Sequence, residues 1–160
     1  MKKIIIYLKL IFKAKWKIKR PSKKKYLICG DNTNIISSII KNNYFCLDHK
    51  NGALYLELFL KTFFNFSYKN FLYKYYLSII EVVDPEIIIF SIDTNTFFWK
   101  LKNYFPEKKL ILIQNAKKTG SPSDLFFKLK NLKFQKQKVD YIFLMNGPIK
   151  NEFKKYLEGK

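Results

Sequence analysis

Residues 85–95 read Pro85-Glu86-Ile87-Ile88-Ile89-Phe90-Ser91-Ile92-Asp93-Thr94-Asn95. The run over 86–92 is apolar and mostly β-branched, without the alternation of a half-exposed strand. It predicts a strand buried on both faces, the environment of a parallel sheet covered by helices. Pro85 stops the helix before it, and Asp93-Thr94-Asn95 lead into the next one. The same rhythm extends both ways. Short apolar runs at 26–29 (YLIC), 44–47 (YFCL), 109–113 (KLILI) and 139–144 (VDYIFL) predict four more strands. Helical spacing is read over 34–41, 95–104, 123–132 and 149–157. Strands alternating with helices predict an α/β domain, Rossmann-like and three-layered, with a five-stranded parallel sheet.

Between the second and third strands the chain is longer than one crossover needs. Residues 68–83 place Tyr68, Leu72, Tyr75, Tyr76, Ile79, Ile80 and Val83 at helical spacing, the pattern of a core-facing stripe. Residues 53–64 (ALYLELFLKTFF) read as a helix apolar almost all round, with Glu57 and Lys61 spaced for an i, i+4 ion pair. Such a helix is either buried in its own domain or faces an apolar partner, a membrane or a lipid acceptor.

The 160 residues suit one domain with a sizeable core. The formal charge is +19, from 31 basic and 12 acidic residues. It is concentrated at the start: residues 1–25 hold Lys2, Lys3, Lys9, Lys13, Lys15, Lys17, Lys19, Arg20, Lys23, Lys24 and Lys25 and no acid. On a helical wheel Lys2, Lys9, Lys13, Lys17 and Arg20 share an arc, and Ile4, Leu8, Ile11, Phe12 and Ile18 gather on another side, interrupted by Lys15 and Lys19. Residues 1–25 are therefore read as a basic amphipathic segment, helical, preceding an α/β domain over 26–160. It suits an anionic membrane surface, a solvated helix face, or, least expected of the three, nucleic acid. The apolar run at 4–8 is too short for a signal peptide, and no stretch reaches the length of a membrane span.

Cys29 and Cys46 make neither a disulfide scaffold nor a four-ligand zinc site and read as buried strand thiols. His49 is the one histidine. It is a possible general base, more simply an ordinary loop residue. No metal site and no cofactor are expected. The turn Cys29-Gly30-Asp31-Asn32-Thr33-Asn34 lacks the glycines of a dinucleotide fingerprint, and no P-loop or G-x-S-x-G elbow occurs. Asp31 and Asp93 weakly resemble the acids of a receiver domain, but the paired acid is missing.

The carboxyl ends of the predicted strands are polar: Gly30-Asp31-Asn32-Thr33, Asp48-His49, Asp93-Thr94-Asn95, Gln114-Asn115 and Asn146-Gly147. Ligands of open parallel sheets bind beyond these ends. Fixed carboxylates and amides suit a substrate rich in hydroxyls. Singly, Asn32 or Thr33, Thr94 and Ser123 are also natural helix N-caps. The loop 117–122, with Lys117 and Lys118 before a helix start, suits a phosphate or a plain surface loop.

Three stretches carry a family resemblance. They are the basic opening ending Lys13-Ala14-Lys15-Trp16; residues 85–95 with Phe97-Phe98 and Tyr104-Phe105-Pro106; and Ile113-Gln114-Asn115, followed by Asp140-Tyr141-Ile142-Phe143-Leu144-Met145-Asn146. The chain resembles the N-terminal half of bacterial surface carbohydrate (O-antigen or lipopolysaccharide) biosynthesis proteins, glycosyltransferases of the two-domain GT-B type. The match spans nearly the whole chain, but none of its stretches is a catalytic signature. The family continues Gln-Asn with Gly and a basic residue, where this chain has Ala116, Lys117 and Lys118. It also continues into a second lobe, and this chain stops about where the linker would start. The resemblance implies the acceptor-side domain of a sugar transferase, cytoplasmic and peripheral to the inner membrane, with little turnover alone. Its partners would be a nucleotide-sugar donor, a lipid-linked or sugar acceptor, and a second lobe. Asp93 and Asp31 would be the candidate general bases, with Asn32, Asn95, Gln114, Asn115, Lys118 and Asn146 holding substrate. The alternative is a non-enzymatic basic module binding anionic lipid or nucleic acid.

Overall fold

The structure, a computed structural model, describes residues 15–30, 33–47, 53–64, 71–91, 95–114, 129, 135–145 and 147–160. Along the chain run β1 (Lys15–Lys17), β2 (Tyr26–Cys29), α1 (Thr33–Ile40), β3 (Tyr44–Leu47), β4 (Ala53–Tyr55), α2 (Leu56–Phe64), α3 (Phe71–Val83) and β5 (Ile87–Phe90). They are followed by α4 (Thr96–Trp99), α5 (Leu101–Tyr104), β6 (Lys109–Ile113), β7 (Gln137–Lys138), β8 (Tyr141–Phe143), α6 (Gly147–Tyr156) and β9 (Leu157–Glu158).

Five strands form one parallel sheet in the order β3-β2-β5-β6-β8. The register aligns Cys29 with Phe90, Phe90 with Leu112, and Leu112 with Ile142. All five strands therefore point their carboxyl ends to one edge. Strand alternation splits the apolar residues between the two faces. Leu27, Cys29, Ile88, Phe90, Leu110 and Leu112 join the main core, where α2, α3, α4, α5 and α6 contribute Phe59, Tyr75, Phe98, Leu101 and Phe153. Ile28 and Ile89 turn the other way, onto Ile36 and Ile40 of α1. This is the three-layer, Rossmann-like α/β arrangement that the mostly apolar run at 86–92 predicts. Leu129 also belongs to the main core. A crossover from β6 to β8 continues the β5-to-β6 direction, and the right-handed rule puts both crossovers on one face.

The amino edge of the sheet is fastened by charge. Asp140 accepts hydrogen bonds from the Leu110 N–H at 2.8 Å and from the Lys102 ammonium at 2.9 and 3.2 Å. Asp84 ends α3 in the left-handed region (φ 48°) and takes the Lys108 ammonium at 2.8 Å. Pro85 follows it and forbids another helical turn.

Several sequence expectations are corrected. Lys15–Lys17 is not helical: it is an extended strand, parallel to β4. The alternation Lys15-Trp16-Lys17-Ile18-Lys19 has period two, and it puts Trp16 against Phe59 at 5.2 Å between ring centroids. Residues 1–14 lie outside the described residues. The helix expected over 53–64 begins at Leu56, because Ala53–Tyr55 pairs with β1. Glu57 bonds Arg20. Leu72, expected in the core stripe of 68–83, is exposed, while Tyr75, Ile79, Ile80 and Val83 are buried; Tyr68 lies outside the described residues. The helix expected over 95–104 is two short ones, broken at Lys100. Cys46 is exposed, since it points to the sparsely covered face of edge strand β3; Cys29 is buried. Of the helix expected over 123–132, only Leu129 is described, as helical. The last helix ends at Tyr156, and Leu157–Glu158 instead pairs with β7.

Candidate functional site

The sheet order reverses direction between β2 and β5: the chain goes from β2 outward to β3, then returns past β2 to build β5, β6 and β8. In doubly wound sheets the crevice for a ligand opens at such a reversal, beyond the carboxyl ends. Gly30 leaves β2 with φ 127°, a backbone conformation that disfavours any side chain. The buried Ser91 donates its N–H to the Cys29 carbonyl at 2.9 Å, with its hydroxyl 3.5 Å from the same oxygen. The loops carrying Asp31 and Asp93 thus leave the sheet from adjacent strand ends. Asp31, Asn32, Asp93, Asn115, Lys118 and Asn146 themselves lie outside the described residues, as do Asp48, His49, Thr94 and the loop 117–122.

The two described candidates both make structural bonds. Asn95 is half-buried and caps α4: its Oδ1 accepts the Phe97 N–H at 3.0 Å. This is the capping role open to any Asn before a helix. Gln114 is buried at the end of β6. Its N–H donates to the Phe143 carbonyl at 2.9 Å, and its Oε1 accepts the Met145 N–H at 2.9 Å. Through its backbone N–H and its side-chain oxygen, Gln114 thus ties the carboxyl ends of β6 and β8 together.

Among the described residues, ion pairs gather at the amino edge of the sheet. The ion pairs Lys102–Asp140, Lys108–Asp84, Lys23–Asp84 and Lys25–Glu86 surround the amino ends of β5, β6 and β8. Burial pushes the Asp140 carboxyl up, but the Leu110 N–H and the Lys102 ammonium outweigh it and hold the group below the ordinary carboxylate range. Hydrogen bonds from Lys108 and Lys23 likewise lower Asp84. In the core, burial raises the Cys29 thiol and pushes Tyr75 and Tyr76 up to about 12. At the carboxyl edge, the described polar groups Ser91, Asn95 and Gln114 are neutral hydrogen-bonding residues. They suit hydroxyls better than ions. Among the described residues no group of His, Cys, Asp or Glu is arranged to hold a metal.

Sequence reasoning passed over Ser91 and Asp140. Each is a lone polar residue inside an apolar run, and that interruption is the signal that could have found them: a buried polar group must be bonded. Comparisons with protein-family models, with curated proteins and with solved structures found no match for this chain.

Proposed function

We propose that this chain is the acceptor-side domain of a sugar transferase acting in the assembly of bacterial surface polysaccharide. The observation that supports the reading is the reversal of sheet order between β2 and β5, whose carboxyl ends at Gly30 and Ser91 lie next to each other. The sequence adds amide and hydroxyl groups at the neighbouring strand ends, and the resemblance of residues 85–95 and 113–115 to surface carbohydrate biosynthesis proteins supplies the reaction class.

An acceptor hydroxyl attacks the anomeric carbon of a nucleotide-sugar. The new glycosidic C–O bond forms as the bond from that carbon to the diphosphate breaks. The hydroxyl proton passes to a carboxylate, Asp93 or Asp31, and the nucleoside diphosphate leaves. Asn32, Asn115 and Asn146 orient hydroxyls, Lys118 meets phosphate charge, and Asn95 caps α4. A second lobe holds most of the donor, so the domain alone turns over little or nothing.

The test measures nucleotide-sugar consumption by the purified chain, with and without the product of the adjacent reading frame. The expected result is activity only in the mixture, reduced about 10²–10⁴-fold by Asp93→Asn or Asp31→Asn, the usual worth of a general base. Robust turnover by the 160 residues alone refutes the two-lobe reading. Full activity of the mixture with both aspartates replaced refutes the base assignment.

A further inference from the structure

The basic opening and the apolar helix, separate in sequence, form one surface. Strand β1 pairs in parallel with β4, Lys15 with Ala53 and Lys17 with Tyr55, and β4 runs directly into α2. Trp16 seats edge-on against Phe59 of α2, Lys17 lies 5.6 Å from the centroid of the Tyr55 ring, and Arg20 is tied to Glu57. α2 buries Leu58, Phe59 and Thr62. It leaves Leu56, Leu60 and Phe63 exposed at i, i+4 and i+7, with Phe64 at 80% exposure beside them. At 100° per residue, Leu56, Leu60 and Phe63 fall within about 60° of one another. Just after β1, Ile18 is 84% exposed between Lys17 and Lys19.

An exposed apolar stripe beside a lysine-bearing strand fits a partner that is apolar within and anionic at its surface. We infer that β1 and α2 form a docking surface for an anionic lipid bilayer, with Phe63, Phe64 and Leu60 entering the acyl boundary and Lys15, Lys17, Lys19 and Lys61 meeting the headgroups. Charge complementarity selects this occupant. Residues 1–25 contain no acid, and a second copy of a chain with net charge +19 would bring lysines against lysines. Phosphates of a nucleic acid would satisfy the lysines but leave the leucine and phenylalanine stripe in water. Among the described residues no helix is long and apolar enough to cross a membrane, so the surface lies on the bilayer rather than through it. The inference stands independently of the sugar-transfer reading.

The test uses the whole chain with vesicles of phosphatidylcholine, alone and mixed with phosphatidylglycerol, read by co-sedimentation and tryptophan fluorescence. The chain has two tryptophans: Trp99 is fully buried and Trp16 is 38% exposed, so a blue shift on binding reports Trp16. The expected result is binding to mixed vesicles only. Lys15→Gln and Lys17→Gln each weaken it about five-fold. Leu60→Ser with Phe64→Ser weakens it about ten-fold or more and moves the blue shift to correspondingly higher lipid. Ile39→Ser, on exposed α1, leaves it unchanged. Should the double variant fail to melt like the parent, Phe64→Ser alone serves, since that side chain is already in water. Equal binding to neutral vesicles overturns the proposal. So does loss through the lysine variants with the serine variants binding normally, which is mere surface adhesion. Vesicle indifference together with a Phe64-dependent dimer, or with salt-sensitive oligonucleotide binding, overturns it as well.

Discussion

Asp140 fastens three elements at once, and removing it tests how the amino edge of the sheet is held. Its Oδ2 accepts from the Leu110 N–H of β6 and from Lys102 of α5, while its own N–H donates to the Leu110 carbonyl just before β8 begins. Asp140→Ala removes the acceptor of the Leu110 N–H and of both contacts from the Lys102 ammonium. The Leu110 N–H then sits at the sheet edge without its acceptor, whereas Lys102 keeps the Lys108 carbonyl at 2.8 Å. A hydrogen bond to a charged group is worth about 1.5–3 kcal/mol, and the carboxylate is partly open to solvent, so a loss of about 2–4 kcal/mol is expected. For a chain of this length that lowers the melting temperature by roughly 5–12 °C. Asp140→Asn keeps an oxygen for Leu110 and loses only the charge, so it costs about 1–2 kcal/mol. The pH dependence follows from the sign of the shift. Asp140 is more acidic folded than unfolded, so its stabilisation is present above the ordinary carboxylate pKa and disappears as pH falls through the lower folded value. Urea unfolding of the parent and both variants at neutral pH, then at successively lower pH, measures this. An alanine variant within about 0.5 kcal/mol of the parent, below the loss of even one such bond, refutes the reasoning. So does a gap that does not narrow as the carboxylate is protonated, since the charge would then contribute nothing.

Three further outcomes follow from single positions. Cys46 is exposed, and Cys29 is buried with its thiol held in the unreactive protonated form, so a thiol reagent should label one site in the native protein and two after denaturation; two fast native sites would contradict the strand register. The Tyr75 hydroxyl accepts the Tyr55 N–H at 2.8 Å in the core, so Tyr75→Phe orphans that N–H and should cost about 1–2 kcal/mol in urea unfolding; a neutral effect would mean the N–H finds another acceptor. A methyl added at Gly159 would stand 2.6 Å from the Val139 carbonyl oxygen, so Gly159→Ala should displace the final strand and cost about 1–3 kcal/mol; unchanged amide-exchange protection at Ile142, which donates to the Lys160 carbonyl, would show that the tail is not packed there.

The central sheet was legible because burial on both faces removes alternation, and a run such as Ile87-Ile88-Ile89-Phe90 has no other easy home. β2, β3 and β6 follow the residues read from sequence for the same reason. The small outer pairs were not legible. Lys15-Trp16-Lys17 has neither β-branching nor length, and it is a strand only because Ala53-Leu54-Tyr55 lies beside it. Gln137–Lys138 and Leu157–Glu158 are two residues each, joined across the fold by a glycine close to a carbonyl. Such pairing is a tertiary event that no local window contains. At the site, the polarity of the strand ends was legible but its division of labour was not. Asn95 and Gln114 look alike in sequence to a ligand-binding amide, yet one caps a helix and the other ties two strands. Which partner an amide takes depends on backbone groups supplied from elsewhere, such as the Met145 N–H 31 residues away.

The two proposals meet at the edge of the sheet. The basic and apolar surface is not remote from the carboxyl ends: Tyr55, where β4 becomes α2, packs its ring 6.0 Å from that of Phe45 in edge strand β3. From Leu47, where β3 ends, to Ala53, where β4 starts, the chain spans at most about 20 Å even fully extended. A bilayer engaged by Phe63, Phe64 and the lysines would therefore lie alongside the edge of the sheet from which the polar loops depart. That arrangement favours an acceptor whose lipid stays in the bilayer while its sugar reaches the strand ends. A freely diffusing acceptor would gain nothing from it. Among the described residues the amino ends are held by ion pairs of Asp84 and Asp140, and the ends of β6 and β8 by the neutral bonds of Gln114.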